Sequence, residues 1–123
     1  MEWAITLNEE EQYAEIVSRG VADKDGSLAM AKAISTALNK IKITRILIDH
    51  RNIIEVSGSA IEIYYRPKEL KEIGMVQKIK LAEVVKEEHK SFFKFFETVC
   101  VNSGYRFSIF YDRKPALEWL LNL

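Results

Sequence analysis

The sequence predicts an α/β fold: an N-terminal β-hairpin followed by repeated βα units, ββαβαβαβα in all. The expected sheet is mixed, mostly parallel and five-stranded, with helices packed on it. Three observations predict it. Ile43-Thr-Arg-Ile-Leu-Ile-Asp-His50 is a short β-branched apolar run without clean polar alternation, the pattern of a central parallel strand covered on both faces. Strand-like runs and helical stripes then alternate to the end of the chain, which calls for parallel strands joined by right-handed crossovers. The length of 123 residues, 48% hydrophobic and 29% charged, with no internal repeat or Pro/Gly-rich linker, describes a single domain over 1–123 with its own core.

Trp3-Ala-Ile-Thr-Leu7 alternates as a strand, and Tyr13 to Arg19 supplies a second through Ile16 and Val17. The polar link Asn8-Glu-Glu-Glu-Gln12 makes a hairpin the simplest connection between them. Gly20 and Asp23-Lys-Asp-Gly26 punctuate the chain before a first helix, expected from an N-cap at Ser27 to about Lys40. Leu28, Ala31, Ala33, Ile34, Ala37, Leu38 and Ile41 fall mostly on one stripe of it. The central strand follows and is expected to end in Asp49-His50-Arg51-Asn52.

Ser57 or Ser59 is placed to cap a second helix. Pro67 removes a backbone donor and clashes with the preceding turn, so a kink or a break into two short helices is expected there. The second piece, Lys68 to Ile73, stops at Gly74. Lys78 to Val85 reads as the next strand. Glu87-Glu-His-Lys opens a third helix with its acids at the positive end of the dipole, and Ser103-Gly104 closes it. Arg106-Phe-Ser-Ile-Phe-Tyr111 is the last strand. Asp112 caps the final helix, where Pro115 is tolerated in the first turn and Leu117, Trp119, Leu120 and Leu121 supply the buried side.

Formal net charge is zero, which argues against a nucleic-acid partner. Residues 1–27 hold seven acids against Arg19 and Lys24, so the −5 there is balanced by +5 in the rest. A solvated acidic hairpin is the simplest reading of that asymmetry, with an electrostatic docking surface as the alternative. Cys100 is the only cysteine, so neither an intrachain disulfide nor a cysteine-based metal site is available, and its place after Val99 reads as packing. The start of the chain is too acidic and too short in apolar run for a signal peptide. No stretch approaches the ~20 apolar residues of a membrane span. The expectation is a cytoplasmic protein.

Asp49, His50 and Arg51 invite a catalytic reading, but neighbouring strand residues point to opposite faces, so Asp49 and His50 are not expected to act on one atom. His89, beside Glu87 and Glu88 at a helix start, reads as exposed. Two histidines far apart predict no metal site, and no cofactor is expected. Phosphate loops, nucleophile elbows and His-Glu-x-x-His helices are all missing, so the chain is not expected to be an enzyme.

The turn Ser57-Gly58-Ser59 offers hydroxyls and free amides at a helix start, a place that suits anions. With Asp49 and Arg51 it is expected to line one crevice at the sheet's carboxyl edge, and Tyr64 is the expected aromatic wall. Gly58, lacking a Cβ, lets a ligand or partner backbone approach. The expectation is a recognition site for a carboxylate, a phosphate or an acidic side chain; a plain capping turn is the alternative. The third helix carries Phe92, Phe93, Phe95 and Phe96, which span more than one face. A stripe of Phe92, Phe96 and Val99 is expected to face the sheet. Phe93 or Phe95 then needs an adjacent helix, a partner subunit or an apolar ligand as cover, which motivates the expectation of a homodimer.

One longer pattern carries a resemblance. Phe92-Phe93, Asn102-Ser-Gly104, Phe107-Ser-Ile-Phe110-Tyr-Asp112 and Ala116-Leu-Glu-Trp119-Leu-Leu resemble the C-terminal half of small bacterial STAS-like (SpoIIAA-like) domains, relatives of the sporulation anti-sigma-factor antagonists. In that group a helix ending in Gly leads to a strand with Phe-x-Asp and then Ala-Leu-x-Trp-Leu. The strand end Leu47-Ile-Asp49 fits as well, so the resemblance covers nearly the whole chain. These motifs are mostly core and cap residues, specific for fold more than for activity. The resemblance implies a non-enzymatic regulatory or protein-interaction domain. The lipid-carrying domains grouped with the family imply the alternative, a binding or carrier domain for a small apolar or anionic ligand. In the antagonists the strand leads to an Asp-Ser-Ser-Gly turn whose first Ser is phosphorylated by a partner kinase. Counting on from Asp49, Ser57 falls on that Asp, Gly58 on the phosphorylated Ser, Ser59 on the second Ser and Ala60 on the Gly, so the matching acceptor is missing here.

Overall fold

A computed structural model describes residues 1–75 and 78–122. In chain order it contains β1 (Glu2–Asn8), β2 (Tyr13–Ala22), α1 (Lys24–Asn39), β3 (Arg45–Val56), α2 (Ala60–Glu72), β4 (Lys80–Val84), α3 (Lys90–Asn102), β5 (Arg106–Phe110) and α4 (Arg113–Leu121). A single 3₁₀ turn, Glu87–His89, leads into α3. The sheet order is β1-β2-β3-β4-β5, with β1 antiparallel to β2 and the remaining neighbours parallel. This is the hairpin and βα succession that the sequence predicts, and β3 is the middle strand.

Apolar residues on both faces of β3 explain its position. Ile46 and Ile48 enter the larger core, shared with Met30 and Ile34 of α1, Leu70 of α2 and Phe93 of α3. Leu47 between them enters a smaller core with Ala116 and Leu120 of α4. Three helices therefore cover one face of the sheet and α4 covers the other.

Several expectations are corrected. Helix α1 begins three residues before Ser27, because Asp23 is an equally good N-cap: its carboxylate accepts from the Gly26 N–H at 2.8 Å. β3 does not stop at its polar run but continues to Val56, paired with a β2 that itself continues to Ala22. Gly20 lies inside β2 at a register irregularity with φ +96°, a conformation glycine adopts without strain, so it bends the strand and does not end it. The polar residues Arg51, Asn52 and Glu55 lie where β4 no longer runs alongside β3, and they are exposed for that reason.

Pro67 does not break α2 in two. The buried stripe Ile63, Arg66, Pro67 and Leu70 runs through it at helical spacing, so both halves pack as one element despite the missing donor. Gly74 ends the helix as expected, with φ +99°, its N–H donating to the Lys71 carbonyl at 3.1 Å and the Met75 N–H to the Leu70 carbonyl at 2.9 Å. His89 is buried and not exposed, because the 3₁₀ turn points it inward. Asp112 occupies the N-cap of α4, yet its side chain makes no capping hydrogen bond.

Candidate functional site

Alternation along β3 separates Asp49 from His50, as the sequence predicts. Asp49 stands opposite Val84, a member of the α4-side core, and so belongs to that face. Its carboxylate accepts from the Arg51 side chain at 2.9 and 3.0 Å and from the Arg51 N–H at 3.0 Å. Partial burial pushes the Asp49 carboxyl up, but these bonds outweigh it and hold it below the ordinary aspartate value. The Asp49–Arg51 pair is thus satisfied within itself, on the α4 side.

The Ser57-Gly58-Ser59 turn lies elsewhere. Ser59 is the N-cap of α2, its hydroxyl accepting from the Glu62 N–H at 3.2 Å. A Cβ at Gly58 would stand 3.7 Å from both Ile63 and Phe92, so this turn sits against α2 and α3. Tyr64 is exposed and packs edge-on against Tyr65, with ring centroids 5.4 Å apart. Tyr64, Tyr65, Ile61 and Ala60 of α2 join Phe95 of α3 in one shallow apolar groove.

The four phenylalanines divide differently from the expectation. Phe93 is the one buried on the sheet, because the 3₁₀ turn sets the phase of α3. Phe92 meets it edge-on and Phe96 packs on Phe107, both half-buried. Phe95 alone among them is exposed, at 40%.

Beneath α1, α2 and α3 is a cavity of about 60 Å³. Its walls are mostly apolar; half-buried Ser27 of α1 lines it, and three buried polar side chains do so too: His50 of β3, Glu83 of β4 and Arg66 of α2. Each of these three is at most 4% exposed. The Phe93 ring stacks on the His50 imidazole at 5.1 Å and 20°. His50 Nδ1 lies 2.5 Å from the hydroxyl of Ser18, which is also 3.3 Å from the Asp49 carbonyl oxygen; the one hydroxyl proton serves one of these two. On its other side His50 Nε2 lies 3.4 Å from Glu83 Oε2.

Ser18, His50 and Glu83 have the composition of a nucleophile, a base and an orienting acid. The geometry denies them that role. Ser18 is fully buried in β2 and is not part of the cavity wall, so no substrate carbonyl can reach its hydroxyl. What remains unanswered is Glu83 Oε1 and Arg66 Nε, buried polar atoms without a partner among the described residues. Burial pulls the Arg66 guanidinium below the ordinary arginine value, with Glu69 and Glu62 acting the other way. Cys100, by contrast, is an enclosed thiol pushed up by burial, with Glu83 adding to the shift. No group of three or more His, Cys, Asp or Glu able to hold a metal occurs among the described residues.

Sequence reasoning singled out none of Ser18, Arg66 and Glu83 as site residues. A signal existed for two of them. Glu83 is the one acid inside the apolar run Leu81-Ala82-Glu83-Val84-Val85, at an inward position, and Arg66 sits at helical spacing between Ile63 and Leu70.

Comparison with known proteins identifies the architecture. No protein-family description and no curated protein sequence matches the chain. Solved structures do, and three of them show the likeness. An uncharacterised Shewanella loihica protein described as having a SpoIIAA-like fold is 21% identical, with a TM-score of 0.59, covering 97% of this chain and 92% of its own. An anti-sigma factor antagonist from Mycobacterium paratuberculosis is 9% identical, with a TM-score of 0.64, over 98% and 96%. The anti-sigma factor antagonist SpoIIAA in its unphosphorylated form is 14% identical, with a TM-score of 0.57, over 99% and 100%. The chain therefore has a SpoIIAA-like fold. No helix among the described residues is long and apolar enough to cross a membrane.

Proposed function

We propose that this chain is a non-enzymatic regulatory domain of STAS-like type that acts by binding protein, first of all a second copy of itself, through the groove between α2 and α3. One observation carries the reading: Ile61, Tyr64, Tyr65 and Phe95 are 70%, 64%, 55% and 40% exposed and line the same groove. Large apolar side chains left singly on a surface need no explanation, but four together mark a contact surface. None of the four is charged, so two copies related by a twofold axis meet apolar surface with apolar surface. A formal net charge of zero adds no long-range repulsion between copies. The likeness to two anti-sigma factor antagonists supports a protein partner as the mode of action.

The Ser57-Gly58-Ser59 turn adjoins the groove through Ala60. With Gly58 at the position of the phosphorylated serine, recognition here works by shape and contact and not by a serine phosphoswitch. The cytoplasm is the compartment we assign, where Cys100 stays a reduced, buried thiol. Light scattering at micromolar concentration is expected to give twice the 14.2 kDa chain mass. Tyr65→Asp is expected to give the single-chain mass with unchanged circular dichroism. A wild-type mass of one chain at every concentration contradicts the proposal.

A second reading, a binding domain for a small apolar or anionic ligand, is favoured by a separate observation. The cavity beneath α1–α3 contains Arg66 and Glu83 with unpartnered buried atoms. Native mass spectrometry of freshly purified protein reads subunit number and co-purified ligand in one spectrum.

A further inference from the structure

Arg66 is the residue whose surroundings demand most. A guanidinium stays protonated at neutral pH, and burying one without an anionic contact is costly. Arg66 is 4% exposed, and its Nε is buried without a hydrogen-bond partner among the described residues, with Glu69, Glu62 and Glu83 acting on the guanidinium through space. Glu83 has one oxygen turned to His50, while the other, Oε1, is also buried and has no partner among the described residues. Both side chains line one cavity, whose remaining walls include Met30, Ile34, Ile63, Leu70 and Phe92. Its volume of about 60 Å³ corresponds to roughly four to six water positions, or an organic molecule of about half a dozen heavy atoms.

These walls select among occupants. An inorganic anion answers Arg66 but is repelled by Glu83 and leaves the apolar walls without contact. A cation answers Glu83 and adds to the charge facing Arg66. A hydrocarbon fills the walls and leaves both polar atoms unsatisfied. A molecule that meets the two unanswered polar atoms and the apolar walls carries an acceptor anion at one end, a donor beside it and a short apolar part. We propose that the cavity binds a small hydroxy- or amino-monocarboxylate, its carboxylate on Arg66, its O–H or N–H donor on Glu83 Oε1, and its hydrocarbon part against Ile63 and Phe92. This rests on the ligand-binding reading above and adds the chemical class and the contacts. The site lies near the sheet's carboxyl edge, where α2 and α3 begin, and Gly58 lies beside the same two wall residues: a Cβ there would be 3.7 Å from each.

The test is calorimetric titration and thermal melting of the full chain with three probes: hydroxybutyrate, butyrate without the donor, and butanol without the carboxylate. Hydroxybutyrate is expected to bind at least tenfold more tightly than either of the others and to raise Tm. Arg66→Met is expected to weaken hydroxybutyrate at least tenfold, while the unliganded variant melts no lower than the wild type, because an unpaired buried charge has gone. Glu83→Met, which removes the acceptor, is expected to bring hydroxybutyrate within threefold of butyrate. Butanol binding as tightly as hydroxybutyrate overturns the chemical class and leaves the ligand-binding reading standing. If none of the three probes gives heat or a melting shift at millimolar concentration, both fail. An Arg66→Met variant that melts well below the wild type yet binds hydroxybutyrate normally makes Arg66 a structural residue and overturns the proposal.

Discussion

Asp49 and His50 are adjacent on β3, and the sheet gives them different chemistry. Asp49 turns to the α4 face, where Arg51 supplies two side-chain bonds and one backbone bond. His50 turns inward, between Ser18, Glu83 and the Phe93 ring. That separation was legible from strand alternation alone. The partners of His50 were not, because Ser18 and Glu83 come from β2 and β4 and meet it only through strand register, which no local pattern states. The Asp49 environment has a measurable consequence. Its pKa is lowered in the folded chain, so the stability it contributes is fully present above the ordinary aspartate value and is lost as pH falls through the folded value. Asp49→Asn is therefore expected to cost about 0.5–1 kcal/mol at neutral pH, a modest figure because Arg51 is open to solvent. The difference from the wild type should close below about pH 3, as urea titrations across pH would show. A gap unchanged down to pH 2 or so contradicts the pairing.

At the scale of elements, helices and strands were read well where their ends carry specific chemistry. Gly74 and Gly104 close α2 and α3 as the sequence predicts. The ends of β2 and β3 were missed, because a polar run beyond the neighbouring strand looks like a turn until the pairing of Arg19 to Ala22 with Asn52 to Val56 is known. Pro67 was misjudged because its buried neighbours outweigh one lost hydrogen bond. Lys80 was read only as part of a strand. The structure buries it on the α4 side, where its ammonium donates to the carbonyls of Trp119 and Asn122 and lies 4.5 Å from the Trp119 ring centre. It thereby fastens the C-terminal end of α4 to β4, the place where a helix favours a cation. Lys80→Met keeps the aliphatic stem and removes these bonds, and is expected to destabilise the chain by about 2 kcal/mol. A lower urea midpoint at unchanged slope would show it; an unchanged midpoint would show that α4 holds without the lysine.

For the whole molecule, the order of strands and the coverage of both faces follow from apolar residues that any reader of the sequence can mark. Fold therefore came through more completely than the site. The predicted recognition residues split between two sides of β3: Asp49 and Arg51 pair on the α4 face, while Gly58, Ser59 and Tyr64 gather at the start of α2. The phenylalanine surplus that suggested a dimer is largely absorbed within the chain through Phe92, Phe93 and Phe96. The exposed apolar surface instead combines Phe95 with three α2 residues whose shared direction depends on how α2 packs beside α3. The measurement that tests the proposed contact most directly is hydrogen exchange of the wild-type chain at low and high micromolar concentration. Amides of 60–65 and of the α3 turn around Phe95 are expected to gain protection at the higher concentration, while those of the edge strand β1 stay unchanged. Protection that is independent of concentration, or that rises along β1 instead, contradicts the account.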